Sequence, residues 1–177
     1  MENGLFFRRR LLAVAVSALA WGGAPLAFAA GGDPSPIKIA VFNFELDDFS
    51  AGAGIAGNAA ADLEHLDQAT SEARRLLAES GRYSLVDVAG AQGDSVRERG
   101  LRQCNGCEAA LAQRLGADQS FVGVVTRVSR TEFTVRFQIL DARTGAVVAN
   151  KATDLRMGAD YAWSRGAASL IKNGLLN

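Results

Sequence analysis

The sequence predicts an α/β fold, a two-layer sandwich in which a mixed β-sheet carries its helices on one face. Short segments rich in β-branched and aromatic residues predict strands. One long segment with apolar residues at steps of three and four predicts an amphipathic helix. The predicted order is β-α-β-α-β-β-β-α, and its three consecutive strands indicate an antiparallel meander near the end of the chain.

The first half of the domain begins with a strand over residues 38–44, after a tail over residues 30–36 that is rich in Gly, Asp and Pro. Residues 45–58 predict a long loop. Residues 59–80 predict a helix that Gly81 ends. The apolar stripe of this helix is Leu63, Leu66, Thr70, Ala73 and Leu77. A second strand is predicted over residues 83–88.

The second half of the domain contains the meander. A short helix over residues 95–101, begun by Asp94, is predicted before the meander. The three strands are predicted over residues 121–130, 132–141 and 146–156. In the middle strand, apolar residues alternate with polar ones, so one face of the sheet should be apolar and the other should be polar and face solvent.

Two more helices complete the prediction. The first spans residues 107–115, with Asn105 as N-cap, Glu108 as its reciprocal partner and Gly116 as a left-handed stop. The second spans residues 160–176. Its apolar stripe is Trp163, Ala167, Leu170 and Ile171.

The amino-terminal 29 residues have the three parts of a cleavable secretory signal. A head containing Arg8-Arg9-Arg10 precedes an apolar run, which ends in the cleavage pattern Ala27-Phe28-Ala29. Glycines and a proline interrupt the run before the roughly 20 residues that span a bilayer, so we expect no membrane span after cleavage. The basic head leaves open whether export is general or twin-arginine dependent. We therefore expect a periplasmic protein with a single domain over residues 37–177.

The charge of the mature chain argues against nucleic acid as a partner. The chain has 19 basic and 19 acidic residues, of which Glu2 and three arginines lie in the leader. A nearly neutral chain without a basic run lacks the electrostatic footprint that nucleic acid or an anionic membrane requires.

Several segments together resemble a superfamily of bacterial envelope domains that includes the amino-terminal domain of TolB, CsgG and FlgO. They are residues 39–44, 76–87, 115–118, 121–125 and 140–145. The insertion Cys104-Asn105-Gly106-Cys107-Glu108 narrows the resemblance to an uncharacterised family of predicted secreted proteobacterial proteins. The resemblance implies a non-catalytic module for assembly or partner binding. The propeller of TolB and the pore-forming segments of CsgG have no counterpart here, so it implies neither translocation nor secretion.

Cys104 and Cys107 are the only cysteines in the chain. In an oxidising compartment, a pair at this spacing is typical of a disulfide. A redox-active pair and a metal site are the alternatives, the first because Cys107 falls in the first turn of a predicted helix. Glu108 stands where a c-type haem motif needs histidine, which excludes covalent haem.

Other candidate chemistry is weaker, and we predict no catalytic residue, no metal and no cofactor. Gly52, Gly54 and Gly57 match the dinucleotide fingerprint, but the loop begins too far from the strand for a pyrophosphate site. The acidic residues Glu45, Asp47 and Asp48 suit calcium by type but not by spacing, which favours a solvated turn. His65, on the polar side of its helix, is expected to be exposed.

The polar, solvent-facing side of the sheet is the predicted partner-binding face. Its residues are Arg127, Thr134, Arg136, Gln138, Lys151 and Thr153. Solvent exposure alone also accounts for polar residues there, whereas polar sheet faces commonly serve as recognition surfaces. The expected function is a non-catalytic periplasmic accessory module that binds a periplasmic or outer-membrane protein. The alternative is a thiol-disulfide or electron-relay accessory of a periplasmic quinoprotein-type pathway that uses the two cysteines.

Overall fold

The computed structural model describes residues 35–51, 59–91 and 100–177. The predicted leader, the loop glycines Gly52, Gly54 and Gly57, and nearly all of the helix predicted over residues 95–101 lie outside these ranges. No helix within them combines the length and the apolar character that crossing a membrane requires. The strands are β1 (Ile37–Val41), β2 (Glu45–Asp48), β3 (Tyr83–Val86), β4 (Gln119–Ser129), β5 (Glu132–Asp141), β6 (Val147–Ala152) and β7 (Arg156–Met157). The α-helices are α1 (Ala59–Glu79), α2 (Cys107–Arg114) and α3 (Trp163–Ile171).

The strands form one mixed sheet, which confirms the predicted fold class. Its main order is β3-β1-β4-β5-β6. Strand β1 runs parallel to β3 and β4, and β4, β5 and β6 form the predicted antiparallel meander. Two short strands lie off this path, because β2 pairs with β4 in parallel and β7 pairs with β5.

Helices α1 and α3 cover one face of the sheet and enclose the larger core. Trp163, Phe121 and Phe137 are fully buried in it, and the rings of the two phenylalanines stack with their centroids 5.2 Å apart. Phe44 joins this core above Gly123, where an added Cβ would lie 2.3 Å from the ring. Only glycine at that position leaves room for the aromatic ring.

The second face of the sheet is covered in part by α2 and a 3₁₀ turn, Leu101–Gln103. The prediction that all helices lie on one face was therefore wrong. The physical reason lies in β4, where Val122 and Val124 face α2 while Phe121 and Val125 face the larger core. A strand that is apolar on both faces needs cover on both.

Strand β2 was predicted as part of a loop. Glu45 to Asp48 instead pair in parallel with Val124 to Arg127 of β4. Acidic residues are depleted in strands, so nothing local favours this structure. Ion pairs with Arg102 and Arg127 compensate the acidic side chains, and both arginines are remote in sequence.

The stripe predicted for α1 is confirmed except at its start, because Leu63 is 63% exposed. Thr70 is buried, and its hydroxyl accepts a hydrogen bond from the Phe44 amide and donates one to the Leu66 carbonyl. Its place in the stripe therefore costs no unsatisfied polar group.

The last predicted strand and helix are each subdivided in the structure. Strand β6 ends at Ala152, and the chain pairs with β5 again in β7. The final helix begins as a 3₁₀ turn, Asp160–Ala162, continues as α3 and ends as a π-helical segment, Lys172–Leu176.

Candidate binding pocket

A pocket of about 310 Å³ opens on the second face of the sheet, beside α2. Its floor comes from β4 and β5, and its walls come from the 3₁₀ turn, the disulfide loop and the β5–β6 connection. The lining residues are Leu101, Arg102, Asn105, Gly106, Glu108, Val122, Arg136, Gln138, Leu140, Gly145 and Val147. The pocket thus brings together the cysteine motif and two residues of the predicted partner-binding face.

Glu45 of β2 holds the 3₁₀ turn that forms the first wall of the pocket. Its carboxylate accepts hydrogen bonds from the backbone amides of Leu101 and Arg102, and its Oε2 lies 3.0 Å from Nη1 of Arg102. Gly100 precedes this turn with a φ of 68°, and an added Cβ there would lie 2.7 Å from Oε2 of Glu45. The glycine therefore allows the carboxylate to cap the turn.

The disulfide loop forms the second wall. Cys104 and Cys107 are bonded, with their Cα atoms 5.4 Å apart. Between them, Asn105 and Gly106 have φ values of 53° and 101°. Asn105 is not the N-cap that the sequence predicted, since Gly106 holds that position and no side chain caps the helix. Helix α2 begins at Cys107 and ends one residue before the predicted end, and Gly116 takes the expected left-handed conformation.

Glu108 places a buried carboxylate in this wall. The residue is only 7% exposed, and its Oε2 lies 3.2 Å from Sγ of Cys104. A sulfur in a disulfide carries no hydrogen, so this contact donates no hydrogen bond to the carboxylate. Within residues 35–51, 59–91 and 100–177, no lysine, arginine or histidine lies within ion-pair distance of Glu108.

Arg136 and Gln138 form the polar part of the floor. They alternate with buried Val135, Phe137 and Ile139 along β5 and so point to the opposite face of the sheet. Arg136 is half-buried, and in the described part of the chain it has no ion pair, hydrogen bond or ring contact. The other arginines there that are buried or half-buried all have polar partners. These are Arg74, Arg102, Arg127 and Arg156.

The structure does not bring the six predicted face residues together. Thr134 shares the face of Arg136 and Gln138 but lies outside the pocket. Arg127 and Lys151 pair with Phe133 and Phe137, which places them on the face that α1 and α3 cover. The Thr153 hydroxyl accepts a hydrogen bond from the Val135 amide between β6 and β7. Sequence alternation alone could not find this division, because it does not give the register between strands.

Arg127 is buried in the structure, whereas the sequence predicted it on the exposed face of the sheet. It is 8% exposed, and its guanidinium pairs with Asp48, Asp62 and Asp160, which come from β2, α1 and the turn before α3. The same group lies 5.1 Å from the ring centroid of Trp163. Burial raises the pKa of Asp48, but hydrogen bonds from Ser50 and the charge of Arg127 outweigh it and leave the pKa below its ordinary value.

The remaining sequence candidates also occupy ordinary structural environments. Glu45 and Asp47 face Arg102, so the acidic segment is a strand with ion pairs and not a solvated turn. His65 was predicted to be exposed, but it is half-buried, with its ring centroid 6.1 Å from that of Trp163. Cys104, Cys107 and Glu108 offer ligand atoms within 4.8 Å of one another, yet the disulfide leaves no thiolate for a metal.

The arrangement of the pocket suits binding. Its lining residues include an acidic and a basic side chain that lack partners among the described residues. Selective contact with a charged ligand is the chemistry that such groups support.

Residues 37–175 match the family described as "Protein of unknown function (DUF2380)". The chain belongs to this family. No curated protein sequence matches it. The fold is also similar to solved structures of bacterial proteins. The LpoB C-terminal domain from Salmonella enterica is 15% identical with a TM-score of 0.42, and the match covers 71% of this chain and 85% of that one.

Two other solved structures show a similar degree of likeness. The PelC dodecamer from Paraburkholderia phytofirmans is 21% identical with a TM-score of 0.45, and the match covers 81% and 89% of the two chains. TolB from Acinetobacter baumannii is 14% identical with a TM-score of 0.43, and the match covers 80% of this chain and 29% of that one. Likenesses this distant say nothing about ligand or activity.

Proposed function

We propose that this family member is exported and acts as a non-catalytic binding module of the bacterial envelope. The three-part leader pattern supports export. The pocket beside α2 supports binding, since Glu108 and Arg136 line it without partners among the described residues. In this proposal, the pocket and the surrounding face of β5 contact a periplasmic or outer-membrane protein.

The half-buried Arg136 carries the proposal. Partial burial makes a guanidinium lose water, and proteins normally compensate this loss with a carboxylate or a carbonyl. Arg136 has no such partner among the described residues, whereas Arg102 at the rim of the same pocket is paired with Glu45. A negatively charged group of a partner protein would supply the missing contact.

Site-specific photo-crosslinking in cells tests this surface. A photoreactive residue replaces Val147, which lines the pocket and is 59% exposed, and Leu63 on α1 is the matched control at 63% exposed. We expect a discrete cross-linked product from position 147 only. Arg136→Ala should abolish this product, while substitution of the exposed Arg130 should preserve it. A product that is insensitive to Arg136→Ala, or no product at position 147, would contradict the proposal.

The alternative, a thiol-disulfide accessory, gains some support from Cys107 at the start of α2, where the helix dipole stabilises a thiolate. Binding has the stronger support, because Arg136 is a half-buried charge without a partner among the described residues, whereas the two cysteines form a disulfide. We therefore rank binding first.

A further inference from the structure

Two side chains of opposite charge line the same pocket and lack partners in the described chain. Glu108 lies in the wall and Arg136 in the floor. Glu108 is almost completely shielded from water, and Arg136 is half-buried. Elsewhere in the described chain, buried and half-buried charged groups have ion-pair or hydrogen-bond partners, as for Glu45 with Arg102, Arg127 with its three aspartates, and Arg74 with the Val41 carbonyl.

The two groups do not neutralise each other. No nitrogen of Arg136 lies within 4.0 Å of an oxygen of Glu108, although both border one cavity of about 310 Å³. Both charges therefore remain available to an occupant of this cavity.

We infer that the pocket binds an amino-acid head group, with its ammonium at Glu108 and its carboxylate at Arg136 and the Gln138 amide. The inference rests on the proposed function, in that the pocket is the binding site, and it specifies the ligand. The head group can belong to a free amino acid or to a peptide that carries it through a side-chain linkage. Each charge of such a ligand meets the protein group that lacks a partner.

Ligands of a single charge fit less well. A phosphate or sulfate dianion would be attracted to Arg136 but repelled by the buried carboxylate of Glu108 in the same pocket. A simple amine would meet Arg136. The second arginine of the pocket, Arg102, adds little free positive charge because Glu45 is its partner.

Calorimetric titration of the purified protein tests the inference. The ligands are glycine, γ-glutamylglycine as a peptide-borne head group, and acetate and methylammonium as single-charge controls. We expect at least one of the two zwitterions to bind at least tenfold more tightly than both controls. The pair also distinguishes a free amino acid from a peptide-borne source.

Variants then assign the contacts. Arg136→Gln and Glu108→Gln should each weaken zwitterion binding at least tenfold, whereas Arg130→Gln should not change it. Thermal unfolding confirms that each variant is folded, and chemical shifts of the Gln138 side-chain amide on addition of ligand report the pocket directly in the unmodified protein. Acetate or methylammonium binding as tightly as the better-bound zwitterion, or no saturable zwitterion binding, would overturn the inference. If the cross-link at Val147 still depends on Arg136 in that case, the proposed function survives and only the ligand class fails.

Discussion

Replacing Arg127 by alanine should destabilise the fold without affecting the pocket. The guanidinium connects β4 to three other parts of the chain through Asp48, Asp62 and Asp160. Without it, the Asp62 carboxylate, whose side chain is 13% exposed, loses its cationic partner. Trp163 loses its cation–π contact at the same time.

The expected loss follows from the exposure of these groups. Breaking a buried ion pair by removing one partner costs about 3–5 kcal/mol, because the other charge remains buried. Asp48 and Asp160 keep some access to water, with side chains 20% and 36% exposed, and can recover part of their hydration. We therefore expect Arg127→Ala to lower the free energy of unfolding by about 3 kcal/mol, at the lower end of that range.

Urea denaturation at pH 7, analysed by linear extrapolation, measures this loss. Arg127→Lys should be destabilised less than Arg127→Ala, since it keeps the charge but not the planar donor geometry. Exposed Arg130→Ala should change stability by less than about 0.5 kcal/mol. The combination of Arg127→Ala with Asp62→Asn should cost less than the sum of the two single changes. If Arg127→Ala were as stable as the parent protein but lost the cross-linked partner, our structural interpretation of Arg127 would fail.

Four further predictions concern other parts of the molecule. In glutathione or dithiothreitol buffers with thiol trapping, the Cys104–Cys107 disulfide should have a reduction potential below about −300 mV, whereas a potential near about −180 mV would favour the redox function. The variant with both cysteines replaced by serine should have a free energy of unfolding lower by about 1–3 kcal/mol in urea denaturation. Gly123→Ala should lower the free energy of unfolding by about 1–3 kcal/mol in the same assay, because the added Cβ would overlap the Phe44 ring. An unchanged midpoint of urea denaturation would contradict this packing. Because the pKa of Asp48 is lowered in the folded protein, its carboxylate stabilises the fold at pH values above the ordinary aspartate pKa of about 4. This stabilisation is lost as the pH falls through the folded-state pKa. The stability difference between the parent protein and Asp48→Asn should therefore shrink in urea denaturation below about pH 4, and a constant difference would refute it. Mass spectrometry of periplasmic extract should find a mature amino terminus near Ala30, and an intact leader in the membrane fraction would contradict export.

The elements that sequence analysis predicted well are those with strong local patterns. Helix α1 begins at the predicted residue, and β5 has both predicted ends, because each has a periodicity that burial on one side imposes. Strand β2 was missed for the opposite reason, since its four residues have no apolar alternation. Two arginines from distant segments make that strand possible.

The candidate site was only partly visible in the sequence. The cysteine spacing predicted the disulfide, and alternation in β5 placed Arg136 and Gln138 on a polar face. Glu108 was interpreted as part of a helix cap, and nothing local indicated that its carboxylate is buried in the wall of the pocket that Arg136 also lines. Because this arrangement depends on how α2 packs on the sheet, no pattern within either segment could reveal it.

The sequence by itself determined the α/β class, the long helix α1, the meander and the expectation of export, since each follows from residues that are neighbours along the chain. The tertiary structure decided which charges are paired. Arg127 and Arg136 both lie in strands of the meander and read alike in the sequence, yet the register places the first among three aspartates and the second in a pocket without a partner. A charge interacts with whatever lies within a few ångströms, and in a folded chain those neighbours come from segments far apart in sequence.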